Sequence, residues 1–266
     1  MNVTKHAVRR SVVADEIGWR YLTVDIITLA PDETRNITHR HREAAVVLIG
    51  GAISVSGAFT LRMSRDDLFA SPSEVIYLAP GANIEITADV PTEIAVGSAP
   101  AVGKYRSAVV HPDTMTADIR GQSSYRRKVI STLTHPFPAE SLVVYEAVVP
   151  AGQWAGLPPH RHDGMHGSPY LEETYYFRFQ EESGFGFHRN FDESRDETFC
   201  ITNGSLVPVT GGNHVSTAAP AANMWILNFL AGSETDRPIP PYFDPGYAHR
   251  TPPALAFNDR PAEATP

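Results

Sequence analysis

His160 and His162 stand two residues apart, and side chains at that spacing on one strand project from the same face. One strand thus offers two nitrogen ligands. An anionic ligand would come from the next strand, which the pair Glu172 and Glu173 starts after the loop DGMHGSPYL. A fourth would come from His214, just after the turn PVTGG. Three imidazoles and one carboxylate on neighbouring strands suit a divalent transition metal and leave coordination positions open for a substrate. In a chain with 11 histidines a lone His-x-His says little. The reading rests on the ordered set of His-x-His, Glu, a Pro/Gly turn and His within strand patterning.

Strands are the elements that must hold this set. The chain has 22 prolines and 19 glycines, which fall between short runs rich in Val, Ile, Thr, Phe and Tyr. Such runs are YLTVDIITL (21–29), AAVVLIGGAISVSG (44–57), VIYL (75–78), ANIEITA (82–88), SLVVYEAVV (141–149), ETYYFRF (173–179), GFGFH (184–188) and NMWILNFL (223–230). No long helical period interrupts them. The order of features repeats at about half the chain length: a strand ending in Pro31 or Pro150, an HRH triplet at 39–41 or 160–162, an apolar strand, then LAPG or LVPVTGG opening a further strand pair. This predicts two similar β-domains, over residues 1–110 and 111–236, followed by a proline-rich tail at 237–266 that is laid over the body or partly disordered.

The first repeat lacks the full ligand set. His39, His41 and Glu43 share one strand, and the turn LAPGANIEI has Asn83 and Ile84 where a closing histidine is required, so this domain reads as structural. Residues 101–135 read as a linker or crossing strand. The cations Arg120, Arg126, Arg127 and Lys128 within them read as a solvated face.

Composition agrees with a folded enzyme-sized body. The 266 residues are 42% apolar and 20% charged, which excludes disorder, collagen and coiled coil. A net charge of -8 offers no broad basic surface for nucleic acid or anionic lipid, leaving small molecules or other protein chains as partners. The only cysteine, Cys200, cannot form an internal disulfide, and the N-terminal stretch lacks an apolar run suited to a signal peptide or membrane span. These features predict a reducing, cytoplasmic setting. Edge strands and the tail make a homo-oligomer plausible.

The motifs resemble those of the cupin superfamily: Gly152, His160, His162, Glu173 and Gly184 fit its first motif, with a longer loop before the Glu, and Gly204, Pro208, Gly211 and His214 fit its second. More narrowly, PAGQWAGLPPHRHD, LEETYYFR, GFGFHR, LVPV and LNFLAG resemble the 5-deoxy-glucuronate isomerase family of inositol catabolism. So do GWRYLTVDIITLAPDET, REAAVVLIGGAISV, YLAPGANIEITA and IAVGSAPA in the first half, so that the likeness spans nearly the whole chain. The resemblance implies an all-β bicupin of two antiparallel jelly-roll barrels with its metal in the second. It also implies an aldose-ketose isomerisation of an open-chain uronic acid through an enediolate. By position, it makes His160, His162, Glu173 and His214 the ligands of one divalent transition metal (Zn, Mn or Fe) per chain, with Glu172 the runner-up carboxylate.

The resemblance is incomplete where substrate would be read. Phe177 stands where the family has His, His188 where it has Gln, two residues are inserted before His214, and the loop before LEE is altered. Alternation sets Phe177 on the Glu173 face, inside the barrel. Candidate groups to move the proton are Glu146, on SLVVYEAVV, and Tyr175, on the Glu173 face. Phe177, Arg178 and His188 are candidate substrate contacts, although alternation puts Arg178 on the opposite face. Two other classes share the ligand set: iron- and oxygen-dependent cleavage of a sugar-like substrate, and a sugar-binding bicupin without turnover.

Overall fold

The structure, a computed structural model, describes residues 10–248. The first nine residues and the tail beyond 248 lie outside it. Every strand-like run named above is a strand, and the fold is all-β: two antiparallel barrels packed side by side.

In the first barrel one sheet runs Ser11–Val12, Thr23–Leu29, Thr92–Pro100, Arg42–Gly57, Val75–Leu78 and Ala108–Val110. The 16-residue strand Arg42–Gly57 belongs to both faces of the barrel. Its first half pairs with Thr92–Pro100 and Val75–Leu78, and its second half with Leu61–Arg65 and Asn83–Ala88. The switch falls at Gly50-Gly51, where the register slips by one residue. Gly51 has φ +98°, and a Cβ there would lie 2.4 Å from Thr92 Oγ1, so the bend needs glycine.

The second barrel has two sheets. One is ordered Thr116–Arg120, Arg127–Leu133, Leu142–Val149, Met224–Gly232, Leu171–Phe179 and Leu206–Val209. The other is ordered Asp196–Thr202, Phe185–Phe191, Asn213–Ala218, Trp154–Arg161 and Tyr242–Phe243. The supposed linker therefore supplies two strands of this barrel, and the first residues of the tail add a short strand beside His160 and Arg161.

Alternation sorts the core into three parts. Leu48, Ile53, Ile76, Ile84, Ile86 and Ile94 fill the first barrel, and Phe177, Val207, Met224 and Ile226 lie inside the second. Between the barrels, Val47, Tyr77 and Ala95 meet Tyr176, Trp225, Leu227 and Phe229. Met224–Gly232 is thus buried on both faces, which is why NMWILNFL reads as an unbroken apolar run. Gly97 matters to this contact, because a Cβ on it would lie 2.2 Å from the Phe229 ring.

Two buried carboxylates tie the barrels together in the same way. Glu43 accepts the backbone N–H groups of Glu140, Ser141 and Leu142 and the Tyr77 hydroxyl. Glu172 accepts those of Arg20, Tyr21 and Leu22 and the Tyr170 hydroxyl. Each carboxylate satisfies backbone donors at the entry to a long strand of the other barrel, Thr23–Leu29 or Leu142–Val149.

Candidate metal centre and cavity

Strands from the two facing sheets of the second barrel bring four side chains together, and three of them, His160, His162 and Glu173, line a cavity of about 470 Å³. His160 comes from Trp154–Arg161 and His162 follows it directly. His214 lies opposite His160 on Asn213–Ala218, and Glu173 stands third on Leu171–Phe179. One nitrogen from each of the three histidines lies within 4.8 Å of the others. Glu173 Oε2 is 2.8 Å from His162 Nε2 and 3.2 Å from His214 Nε2. Asp163 secures the arrangement from outside: it accepts the Gly212 N–H at 2.8 Å and pairs with Arg161, joining the HRHD loop to the turn before His214.

Hydrogen bonds fix which ring nitrogen faces inward. The Nδ1–H of His162 donates to the Leu171 carbonyl at 2.6 Å, leaving Nε2 to the cluster. His160 Nδ1 lies 3.4 Å from the carbonyls of Gly156 and Pro158. Glu173 Oε1 accepts from Asn228 Nδ2 at 2.9 Å, which turns Oε2 toward the imidazoles. His214 is fully buried, yet neither ring nitrogen has a hydrogen bond, since the approach of Nε2 to Glu173 is off line. A buried imidazole without a partner is costly in a folded protein. A cation taking its lone pair removes that cost, so the donor set fits a divalent transition metal.

Titration follows the same geometry. Burial, reinforced by the His214 and His162 charges, pushes His160 down to about 3. Burial also lowers His214. For His162 burial acts downward, but the Glu173 hydrogen bond, the Glu173 charge and the Leu171 carbonyl together outweigh it and raise the ring. Burial would raise Glu173, and the His162 hydrogen bond with the close approach of His162 and His214 instead holds it well below the usual carboxylate range. Neutral His160 and His214 and an ionised Glu173 are the states that ligate a metal, and a metal bound at His162 would displace the proton that its Nε2 shares with Glu173.

Other sequence candidates fall differently. Tyr175 lines the cavity with its ring 5.5 Å from that of His214, and burial followed by the Glu173 charge keeps its phenol well above 10. Glu146 is not in the cavity. Tyr145 and Ala147 face it, and alternation turns Glu146 to the interface, where it pairs with Arg65 at 2.6 Å and accepts the Trp225 indole N–H. Arg178 also lies on the interface side, paired with Glu93. His188 is inside the barrel but behind His214, with Nδ1 bonded to Ser216 and Nε2 to Asn190, both at 2.8 Å. Phe177 stacks on Tyr175 in the apolar core. None of these four lines the cavity, so as groups touching a substrate they are corrected. Glu172, the runner-up ligand, is the interface carboxylate described above.

The cavity wall holds residues that the sequence reading passed over: Asn228, Tyr145, Arg120, Arg127, Arg237 and Phe243. Asn228 was legible as a lone amide within an apolar run. Arg120 and Arg127 stood in the cation cluster read as a solvated face, and only the pairing of their strands turns them inward.

Known proteins are similar to this chain over most of its length. A 5-deoxy-glucuronate isomerase of Geobacillus kaustophilus is 33% identical over 232 residues, covering 83% of each chain. One of Geobacillus thermodenitrificans is 32% identical over 230 residues, covering 83% of this chain and 84% of that one. The crystal structure of an IolB-like protein from Salmonella typhimurium superposes with a TM-score of 0.84 at 28% identity, over 92% of this chain and 95% of that one. The oxalate decarboxylase of Lactobacillus farciminis shares the fold alone, with a TM-score of 0.59 at 13% identity over 84% and 80% of the two chains. The family model described as KduI/IolB family matches residues 3–249, which span both barrels, and the chain belongs to the KduI/IolB family.

Proposed function

We propose that the protein is a metal-dependent isomerase that interconverts the aldose and ketose forms of an open-chain uronic acid such as 5-deoxy-glucuronate. The observation that carries the reading is the cluster of His160, His162, His214 and Glu173 beside a cavity of small-molecule size, in a chain akin to proteins of that name. The same cluster supports a bound Zn, Mn or Fe ion as cofactor, and the second barrel as the working domain. A divalent metal there supplies Lewis acidity toward a carbonyl and its neighbouring hydroxyl.

The chain's own residues supply the rest. Isomerisation takes a proton from the carbon beside the carbonyl and returns it to the neighbouring carbon. Glu173 is the only carboxylate lining the cavity among the described residues, and it is committed to the cluster. Among the other lining residues, the His135 imidazole and the Tyr145 phenol are left to carry the proton. Tyr175 keeps its proton, and from beside His214 it donates a hydrogen bond to the substrate oxygen on which charge grows. Asn228 holds Glu173 in place, and the apolar wall of Val129, Ala155 and Ile226 excludes water from the reacting carbons.

The test is proton NMR of 5-deoxy-glucuronate with the purified protein in heavy water, without oxygen. Ketose signals should appear with deuterium on the carbon beside the carbonyl. No exchange and no ketose with any uronic acid would overturn the reading.

A further inference from the structure

We propose that Arg120 and Arg127 form the anion-binding end of the cavity and grip the carboxylate of the substrate, while its hydroxy-aldehyde end faces the histidine cluster. The inference rests on the isomerase reading and deepens it by assigning the acid-recognition site. Arg120 and Arg127 sit directly opposite each other on paired antiparallel strands, and both line the cavity. Like charges at such a position repel and destabilise a sheet unless an anion joins them. No acidic side chain does so. Among the described residues neither arginine has a carboxylate within ion-pair distance, whereas Arg10, Arg65, Arg161, Arg178 and Arg189 all do.

The two guanidinium groups are held but not neutralised. Arg127 is half-buried and donates one hydrogen bond, 3.3 Å to the Tyr125 carbonyl. Arg120, at the exposed rim, lies 5.6 Å over the ring of Tyr145, which also lines the cavity. At the other end of the strand Leu142–Val149, a third cation of the lining, Arg237, donates to the carbonyls of Leu142, Phe137 and Ala139 and keeps one buried nitrogen, Nη2, without a partner. The lining of the cavity thus carries three arginines, two of them side by side, against a single carboxylate at the cluster. Planar guanidinium forks match a carboxylate, so a sugar acid is oriented from both ends.

The experiment uses the full chain with Arg127→Gln, Arg127→Lys and Arg120→Gln, each checked for metal content and melting temperature. Two things are measured: kcat and KM for 5-deoxy-glucuronate and for the same sugar with its carboxylate reduced to hydroxymethyl, and calorimetric binding of gluconate, an acid with no aldehyde. Arg127→Gln should raise KM for the acid about 10- to 100-fold, the worth of a charged hydrogen bond, with Arg127→Lys recovering part of it. The preference for acid over neutral sugar should collapse and gluconate binding should weaken alike. Acid preference and gluconate binding unchanged in all three variants would overturn the proposal and leave the isomerase reading intact. Arginine-dependent gluconate binding by a protein that isomerises no sugar would support the proposal while overturning the isomerase reading.

Discussion

The two barrels share a carboxylate and diverge at the next residue. Glu43 and Glu172 each stand second on a long strand, paired across from Ala99 and Ala231, and each binds three backbone N–H groups of the other barrel. The next residue points into the barrel and is Ala44 in the first and Glu173 in the second. The turn-following pair is Asn83-Ile84 in the first and Asn213-His214 in the second, and Ile84 is packed among Leu48, Ile53 and Ile94. The shared residues build the interface, which both barrels need equally. Those that differ point inward, where one barrel is filled with aliphatic side chains and the other keeps a cavity with buried polar groups. Duplicated scaffolds can divide labour in this way because strand alternation separates interface residues from interior ones.

The comparison makes graded predictions. The largest loss of stability is expected at the interface ion pair, where Glu146→Gln leaves the Arg65 guanidinium buried and unpaired. Urea unfolding should show a cost of about 3–5 kcal/mol, with the folded protein keeping its metal. Loss of metal from folded Glu146→Gln would mean that interface and site are not separate.

Glu43→Gln and Glu172→Gln should each cost about 2–3 kcal/mol, because an amide nitrogen cannot accept N–H groups. Their costs should be alike, since the two carboxylates are equivalent, and Glu172→Gln should keep its metal. Unequal costs would break the pseudo-symmetry, and metal loss in Glu172→Gln would reassign the ligand.

A smaller effect concerns pH. Burial, with the His214 charge, pushes His188 down to about 3 from its ordinary 6.5. Between those values the unfolded chain binds a proton that the folded chain does not, so stability falls as pH drops through this window. His188 adds up to about 1.4 kcal/mol per pH unit. His188→Gln keeps side-chain partners for Ser216 and Asn190 but cannot titrate. Unfolding of chelator-stripped protein at several pH values should give it the shallower slope, and equal slopes would refute the assignment.

Much of this was legible in the sequence because strands buried on both faces, such as VIYL and NMWILNFL, show themselves as apolar runs bounded by glycine and proline. The ligand set was legible for a related reason: His160, His162, Glu173 and His214 lie near turns that the chain order marks. Where a residue's face depended on register, the sequence was silent. Glu146 and Tyr145 are neighbours, and which of them looks into the cavity follows from pairing with Leu227 and Asn228 on Met224–Gly232, far along the chain. Arg120 and Arg127 were missed for the opposite reason. Strands with exposed residues and many charges look like linkers, and only their addition to the sheet edge makes them a cavity wall.

The central claim is that the second barrel alone binds a catalytic metal, and elemental analysis of the purified protein beside His162→Ala and the double variant His39→Ala, His41→Ala tests it most directly. About one divalent metal per chain is expected in the wild type and in the first-barrel variant, with loss from His162→Ala. A wild-type protein without metal, or a His162→Ala protein that retains it in full, would contradict the account.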